Sequence, residues 1–191
     1  MEAFKLILAS SSEIRKKILS SHNVVFKAVK HKFDEDIGKK NLLLDPAELS
    51  LYLAKHKSLS LCDDHKDQII LGCDQVCALN NKVFSKPNNT EQAISNLAEL
   101  SGKAHQLIGS YSFSRNSKVL FNETIICNMT MKHLTIEEIT DYVYLDKPLK
   151  SCGSYMFEKN GYKLFSKVQG SLEAINGLPF TYLSKKLKEY V

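Results

Sequence analysis

A chain of 191 residues, 43% apolar and 25% charged, can bury a full core and has the make-up of an ordinary soluble globular protein. No apolar run approaches the roughly 20 residues of a membrane span, and the N-terminus lacks a signal-peptide pattern, so the expected location is the cytoplasm. The formal net charge of +5 suits a phosphate-bearing partner, but the lysines are dispersed and not interleaved with aromatics, so nucleic acid is not expected.

In chain order, "FKLILA" (4–9) is a short apolar strand running into "SSSEIRKKILSS". There Ile14, Ile18 and Leu19 share one helical face, with Ser12 as N-cap. A strand turning through serines into a helix gathers backbone N–H groups and the positive helix end, a common anion-binding construction. "NVVFKAV" (23–29) reads as a second strand. Asp45, Pro46 and Glu48 sign a helix start, the helix running to about Leu61. Residues 69–79 form the next strand, turned by Asn80-Asn81. Thr90 opens a helix with Ile94, Leu97 and Ala98 inward, ended by Ser101-Gly102. Two strands follow, at about 105–115 and 118–132; then Thr135 and Glu138 box a helix to about Tyr144. "GSYMFEKNGYKLF" (153–165) reads as a short strand pair, and a last helix starts near Pro179. The expected fold is mixed α/β, a twisted mixed sheet flanked by helices, in one domain over 1–191.

The five cysteines (62, 73, 77, 127 and 152) form no CxxC pair and are expected as reduced thiols; the six histidines lack zinc-ligand spacing. Four polar clusters remain. Ser10-Ser11-Ser12 with Arg15 is either a phosphate turn or a plain Ser-rich cap. "FDED" (33–36) is a solvated acidic loop or the source of a carboxylate that holds a divalent cation. Asp74-Gln75 interrupts an apolar strand, where a carboxylate without partners costs several kcal/mol. It is satisfied by backbone amides, or it faces a ligand near the strand's carboxyl end. "SKP" (85–87) sets Lys86 a hairpin's reach away, as a salt bridge or as a phosphate partner.

"LILASSSEIRKKIL", "FDE", "LAKHK", "GCDQV…SKP", "LSGKAH" and "GLP" together, from about residue 4 to 183, resemble the Maf-like (septum-formation-inhibitor-like) nucleoside triphosphate pyrophosphatases in order and spacing. The resemblance implies two lobes around a nucleotide-binding cleft and a possible homodimer. It also implies cleavage between the α- and β-phosphates with Mg²⁺ or Mn²⁺. Asp74 falls on the family's proton acceptor and a metal position, with Glu35 as a second metal ligand. Ser10, Arg15, Lys57 and Lys86 fall on substrate-binding positions. Three positions track the base, here Ile14, Gln75 and Glu158; Gln and Glu resemble the subfamily that cleaves 7-methyl-GTP, where members acting on dTTP and UTP carry Arg, Thr and Gln. The chain departs from the family at Glu13, Ile14, Ser85, Gly109-Ser110 and Glu173. Hydrolysis of dTTP or UTP, or a nucleotide-binding regulator of septum formation with little turnover, are the alternatives.

Overall fold

In the computed structural model, which describes residues 6–36 and 44–190, strand β1 (Leu6–Leu8) is wholly buried. It pairs in parallel with β2 (Phe26–Ala28) and β3 (Ile69–Leu79), Leu8 lying opposite Ala28 and Leu71. Strands covered on both faces read as unbroken apolar runs, as "LIL" and "IIL" do. Residues 4 and 5 of the predicted first strand lie outside the described residues.

The sheet order is β2-β1-β3-β5-β6-β7, with β4 (Lys82–Phe84) on β3, β5 at Ala104–Arg115, β6 at Lys118–Met131 and β7 at Phe165–Gln169. Parallel pairs at one end and the antiparallel β6–β7 pair at the other make it a mixed sheet. The helices are α1 (Glu13–Ser21), α2 (Pro46–Leu59), α3 (Thr90–Leu100), α4 (Ile136–Asp146), α5 (Leu172–Ile175) and α6 (Phe180–Leu187). Both tight hairpins use paired left-handed residues, Asn80 (φ 49°) and Asn81 (φ 65°), then Asn116 (φ 50°) and Ser117 (φ 60°). Positive φ at both central positions matches the strand twist.

The chain divides into two compact units. The first holds residues 1–74, 109–125 and 172–191, and its core joins Leu6, Leu8, Ile69 and Leu71 to Tyr111, Phe113, Leu178 and Leu183. The second holds 75–108 and 126–171. There a buried aromatic group forms around Tyr155, with its hydroxyl hydrogen-bonded to His105 Nε2 at 2.9 Å and its ring edge-on to Phe165.

The structure corrects the predicted strand pair at 153–165. The segment is instead turns and two 3-10 pieces, Cys152–Ser154 and Gly161–Leu164, and β7 begins only at Phe165. Gly153 (φ 70°) and Ser154 (φ 61°) take left-handed backbone that a strand does not use. Its backbone amides are satisfied elsewhere: Met156 donates to the Tyr142 hydroxyl (2.8 Å), Gly161 to the Met156 carbonyl (3.0 Å), and Asn160 to Asp146 (3.0 Å). With those donors spent, no ladder forms. Helix α2 stops at Leu59, and α4 runs on to Asp146.

Candidate active site

Helix α2 begins with a full capping box. Asp45 accepts from the amides of Ala47 and Glu48 at 2.8 Å, and the Glu48 carboxylate takes the Asp45 amide at 3.0 Å. Its buried residues include Ser50, Leu53, Ala54, Lys57 and Ser58, the spacing of a single helical stripe. A lysine on a buried stripe demands compensation. Lys57, 6% exposed, finds it in Asp74 Oδ1 at 2.6 Å and Glu35 Oε1 at 3.0 Å.

Gly72 makes this approach possible. A Cβ there would lie 2.1 Å from the Ala54 carbonyl oxygen and 2.7 Å from the Ser58 amide nitrogen, both backbone atoms that cannot step aside. Glycine therefore lets α2 lie directly on β3, and Ser50 Oγ also donates to the Asp74 carbonyl at 3.3 Å. Asp74, 8% exposed, lies on β3, which runs over Ile69–Leu79 as expected. It stands three residues beyond Leu71, the last residue of β3 paired with β1, so it lies just past the end of the parallel ladder.

Two carboxylates thus share one ammonium, and His31 Nε2 also approaches Glu35 Oε1 at 3.4 Å. Two hard oxygen donors suit Mg²⁺ or Mn²⁺ better than a softer ion. Among the described residues no three His, Cys, Asp or Glu side chains gather closely enough to hold a metal unaided. Magnesium commonly uses one or two carboxylates and completes its shell with phosphates and water, so the residues fit a metal that arrives with its substrate. Cys73, next to Asp74, is no rival nucleophile, because burial pushes its thiol up to about 11.

The serine turn lies in the same unit. Ser10, 7% exposed, accepts from the Ser12 amide and from Arg15 Nη1, both at 3.3 Å. Arg15 also donates from Nη1 to the Cys73 carbonyl (3.2 Å) and from Nε to the Gly177 carbonyl (2.9 Å). The guanidinium so ties the α1 turn to β3 and to "GLP". Ser12 is the N-cap as predicted, but its side chain makes no capping bond. Glu13 turns away to Lys16 at 2.7 Å, and Ile14 packs on the core.

The remaining predicted residues belong to the second unit, where Gln75 is half-buried on β3 and Lys86 and Glu158 are exposed, Lys86 just past β4 and Glu158 in a turn. Reading the sequence missed Gly72, Ser50 and His31 as contributors. The alternation of His31, Phe33 and Glu35 is the one local signal for the last. Glu173 is explained as a remote cap: its carboxylate accepts from the Thr181 amide (2.8 Å) and hydroxyl (2.9 Å) near the start of α6, where Pro179 offers no side-chain bond. Burial raises this acid, but bonds from His22 and Thr181 outweigh that and hold it below its ordinary value.

Comparison with known proteins completes the picture. The family model described as Maf-like protein matches residues 5–190. A nucleoside triphosphate pyrophosphatase of Pelagibacter ubique (strain HTCC1062) is 38% identical, covering 98% of this chain and 96% of its own. One from Legionella pneumophila (strain Philadelphia 1) is also 38% identical, over 95% of this chain and 92% of its own. Among solved structures, a HAM1 protein from Coxiella burnetii superposes with a TM-score of 0.49 at 12% identity, over 97% of this chain and 99% of that one.

Proposed function

The chain belongs to the Maf-like family, and from that premise we propose that it hydrolyses 7-methyl-GTP to the monophosphate and pyrophosphate. The broader activity is that of a nucleoside triphosphate pyrophosphatase, a hydrolase of phosphoanhydrides, which is the activity named for the relatives. The observation that carries the reading is the buried Asp74–Lys57 pair with the partly exposed Glu35, tied at 2.6 and 3.0 Å.

In the reaction a water oxygen forms a new P–O bond and the α–β bridging bond breaks. Asp74 takes the water's proton. Lys57 holds both acids in place, and Lys86 neutralises phosphate charge. Arg15 keeps the α1 turn and Ser10 fixed for phosphate, at a helix start whose amides favour anions. Glu35 and Asp74 would hold a divalent cation, which supplies charge neutralisation on the phosphates when bound.

The choice of base rests on Gln75 and Glu158. Guanine presents N1–H and its 2-amino group on one edge, and a carboxylate accepts both. The 7-methyl group makes the base cationic, so Glu158 gains Coulomb energy as well. Uracil and thymine meet that carboxylate with acceptors, and unpaired groups of this kind produce strong discrimination. The same proposal takes 1–191 as one catalytic domain working on the cytoplasmic nucleotide pool. Among the described residues no helix is long and apolar enough to cross a membrane.

Pyrophosphate release measured across a nucleotide panel, with Mg²⁺ and with Mn²⁺, tests the reading. Faster turnover of 7-methyl-GTP than of GTP, UTP or dTTP supports it. Preference for UTP or dTTP overturns the base assignment alone, and binding without turnover of any nucleotide overturns the hydrolase itself.

A further inference from the structure

We propose that Tyr142 and Asp146 of α4 are specificity-positioning residues: they clamp the turn that carries Glu158, so that its carboxylate meets the base from a backbone fixed before substrate binds. This rests on the reading of Glu158 above and deepens it.

Helix α4 sets Tyr142 and Asp146 one turn apart on the same face, and both are buried, at 6% and 5% exposure. An acid as the last residue of a helix meets the negative end of the helix dipole, and burying it adds a desolvation cost. Such an acid is tolerated where its oxygens are bonded. Asp146 Oδ2 accepts from the Asn160 backbone amide at 3.0 Å, and Oδ1 accepts from the Asn160 side-chain amide at 2.8 Å. The Tyr142 hydroxyl accepts from the Met156 amide at 2.8 Å. Burial raises that hydroxyl well above its ordinary value, the Met156 bond works against this, and the charges of Asp146 and Glu158 add to it. The phenol therefore stays protonated, and Glu158 lies within its electrostatic reach.

The two anchor points bracket Glu158, two residues before it and two after. Between them the turn folds back on itself, since the Met156 carbonyl accepts from the amides of Lys159 (3.1 Å) and Gly161 (3.0 Å). Glu158 is exposed on this turn. An exposed glutamate keeps its side-chain rotamers, so its aim depends on how firmly its own backbone is held. That hold comes from α4, 14 residues upstream at each anchor.

Discrimination, read as kcat/KM for 7-methyl-GTP over that for UTP, tests this in the full chain. Asp146→Asn leaves one acceptor oxygen where there were two, and Tyr142→Phe removes the acceptor of the Met156 amide. Each should lower the ratio about 3–10-fold, the worth of one hydrogen bond, mainly by raising KM for 7-methyl-GTP. In a Glu158→Gln background, either substitution should leave the ratio where Glu158→Gln alone sets it, since both act through that carboxylate. In the parent without nucleotide, the Met156 and Asn160 amides should be protected from hydrogen exchange.

A parent that prefers 7-methyl-GTP, with both variants keeping its ratio, overturns the positioning role and leaves the base assignment standing. Equal loss on both nucleotides overturns it too, because the anchors then serve the fold alone, and so does a further fall of the ratio in the Glu158→Gln background. Unprotected Met156 and Asn160 amides overturn it without any variant, and so decide the matter if both variants fail to fold. A parent with no preference for 7-methyl-GTP defeats the reading of Glu158 and this inference together.

Discussion

The two units treat their buried polar groups differently. In the second unit neighbouring side chains bond to one another: Asn96 donates to Ser154 at 2.9 Å, His105 Nε2 pairs with the Tyr155 hydroxyl, and Asp146 accepts from the backbone amide and the side-chain amide of Asn160. In the first unit, two carboxylates meet one lysine, at 2.6 and 3.0 Å. Hydrogen bonds of the first kind hold the fold; buried charges are tolerated only beside hydrogen-bond donors or partners of opposite sign. Of the second-unit residues that the family resemblance marks, Lys86 is exposed just past β4, Glu158 is exposed in a turn and Gln75 is half-buried on β3.

The largest effects should therefore come from breaking the charged group. Asp74→Asn should lower hydrolysis by about 10²–10⁴-fold with the fold intact, because Lys57 keeps Glu35 as its partner. Lys57→Met leaves Asp74 buried without a cation and should cost about 3–5 kcal/mol in urea unfolding. Lys86→Met, at an exposed position just past β4, should stay within about 0.5 kcal/mol of the parent while slowing turnover. Equal stability of Lys57→Met and the parent would erase the contrast.

Gly72→Ala attacks the same group without touching a charge. Its methyl would meet backbone atoms of α2 at 2.1 and 2.7 Å, so the helix must shift and Lys57 with it. The expected outcome is a loss of about 3 kcal/mol or more together with most of the activity. Crystals or chemical shifts showing α2 undisturbed would remove Gly72 from the site's construction.

What could be read in the sequence follows from the range of each interaction. The Asp45 and Thr135 capping boxes and the Asn80-Asn81 turn are written within four residues, and they are where they were expected. Asp74 was legible as an anomaly in an apolar run. Its partner Lys57 is 17 residues away and entered through the family likeness, not through spacing. Gly72 could not be read as a contact surface, since its meaning depends on a helix brought back by the fold. The turns at 153–165 were misread because the side chains that hold them, Tyr142 and Asp146, lie 14 residues upstream.

The bonded side chains of the second unit have their own vulnerability. Burial pushes the His105 imidazole down to about 4. The unfolded chain takes up this proton near 6.5 and the folded chain only near 4, so the unfolded state binds more protons between those values. Stability should fall as pH drops through that window, by up to about 3 kcal/mol in all, and His105→Gln should flatten this part of the profile. Urea midpoints at pH 7 and pH 4.5 for both proteins measure it. A parent chain equally stable at the two values would show that His105 is not shielded from water.

The smallest structural effect is expected at Glu158, and it is the sharpest test of the exposed sites. Glu158→Gln leaves volume and hydrogen-bonding reach nearly unchanged on an exposed turn, so stability should move by less than about 0.5 kcal/mol. The amide offers one acceptor where the carboxylate offers two, and it carries no charge to meet a methylated, cationic base. Against 7-methyl-GTP, kcat/KM should fall about tenfold or more, the range a polar contact to a base commonly supplies, while UTP turnover holds or rises. A parallel loss on both substrates would assign Glu158 to the phosphates or to the fold, and an unchanged ratio would leave the base to be read by other residues.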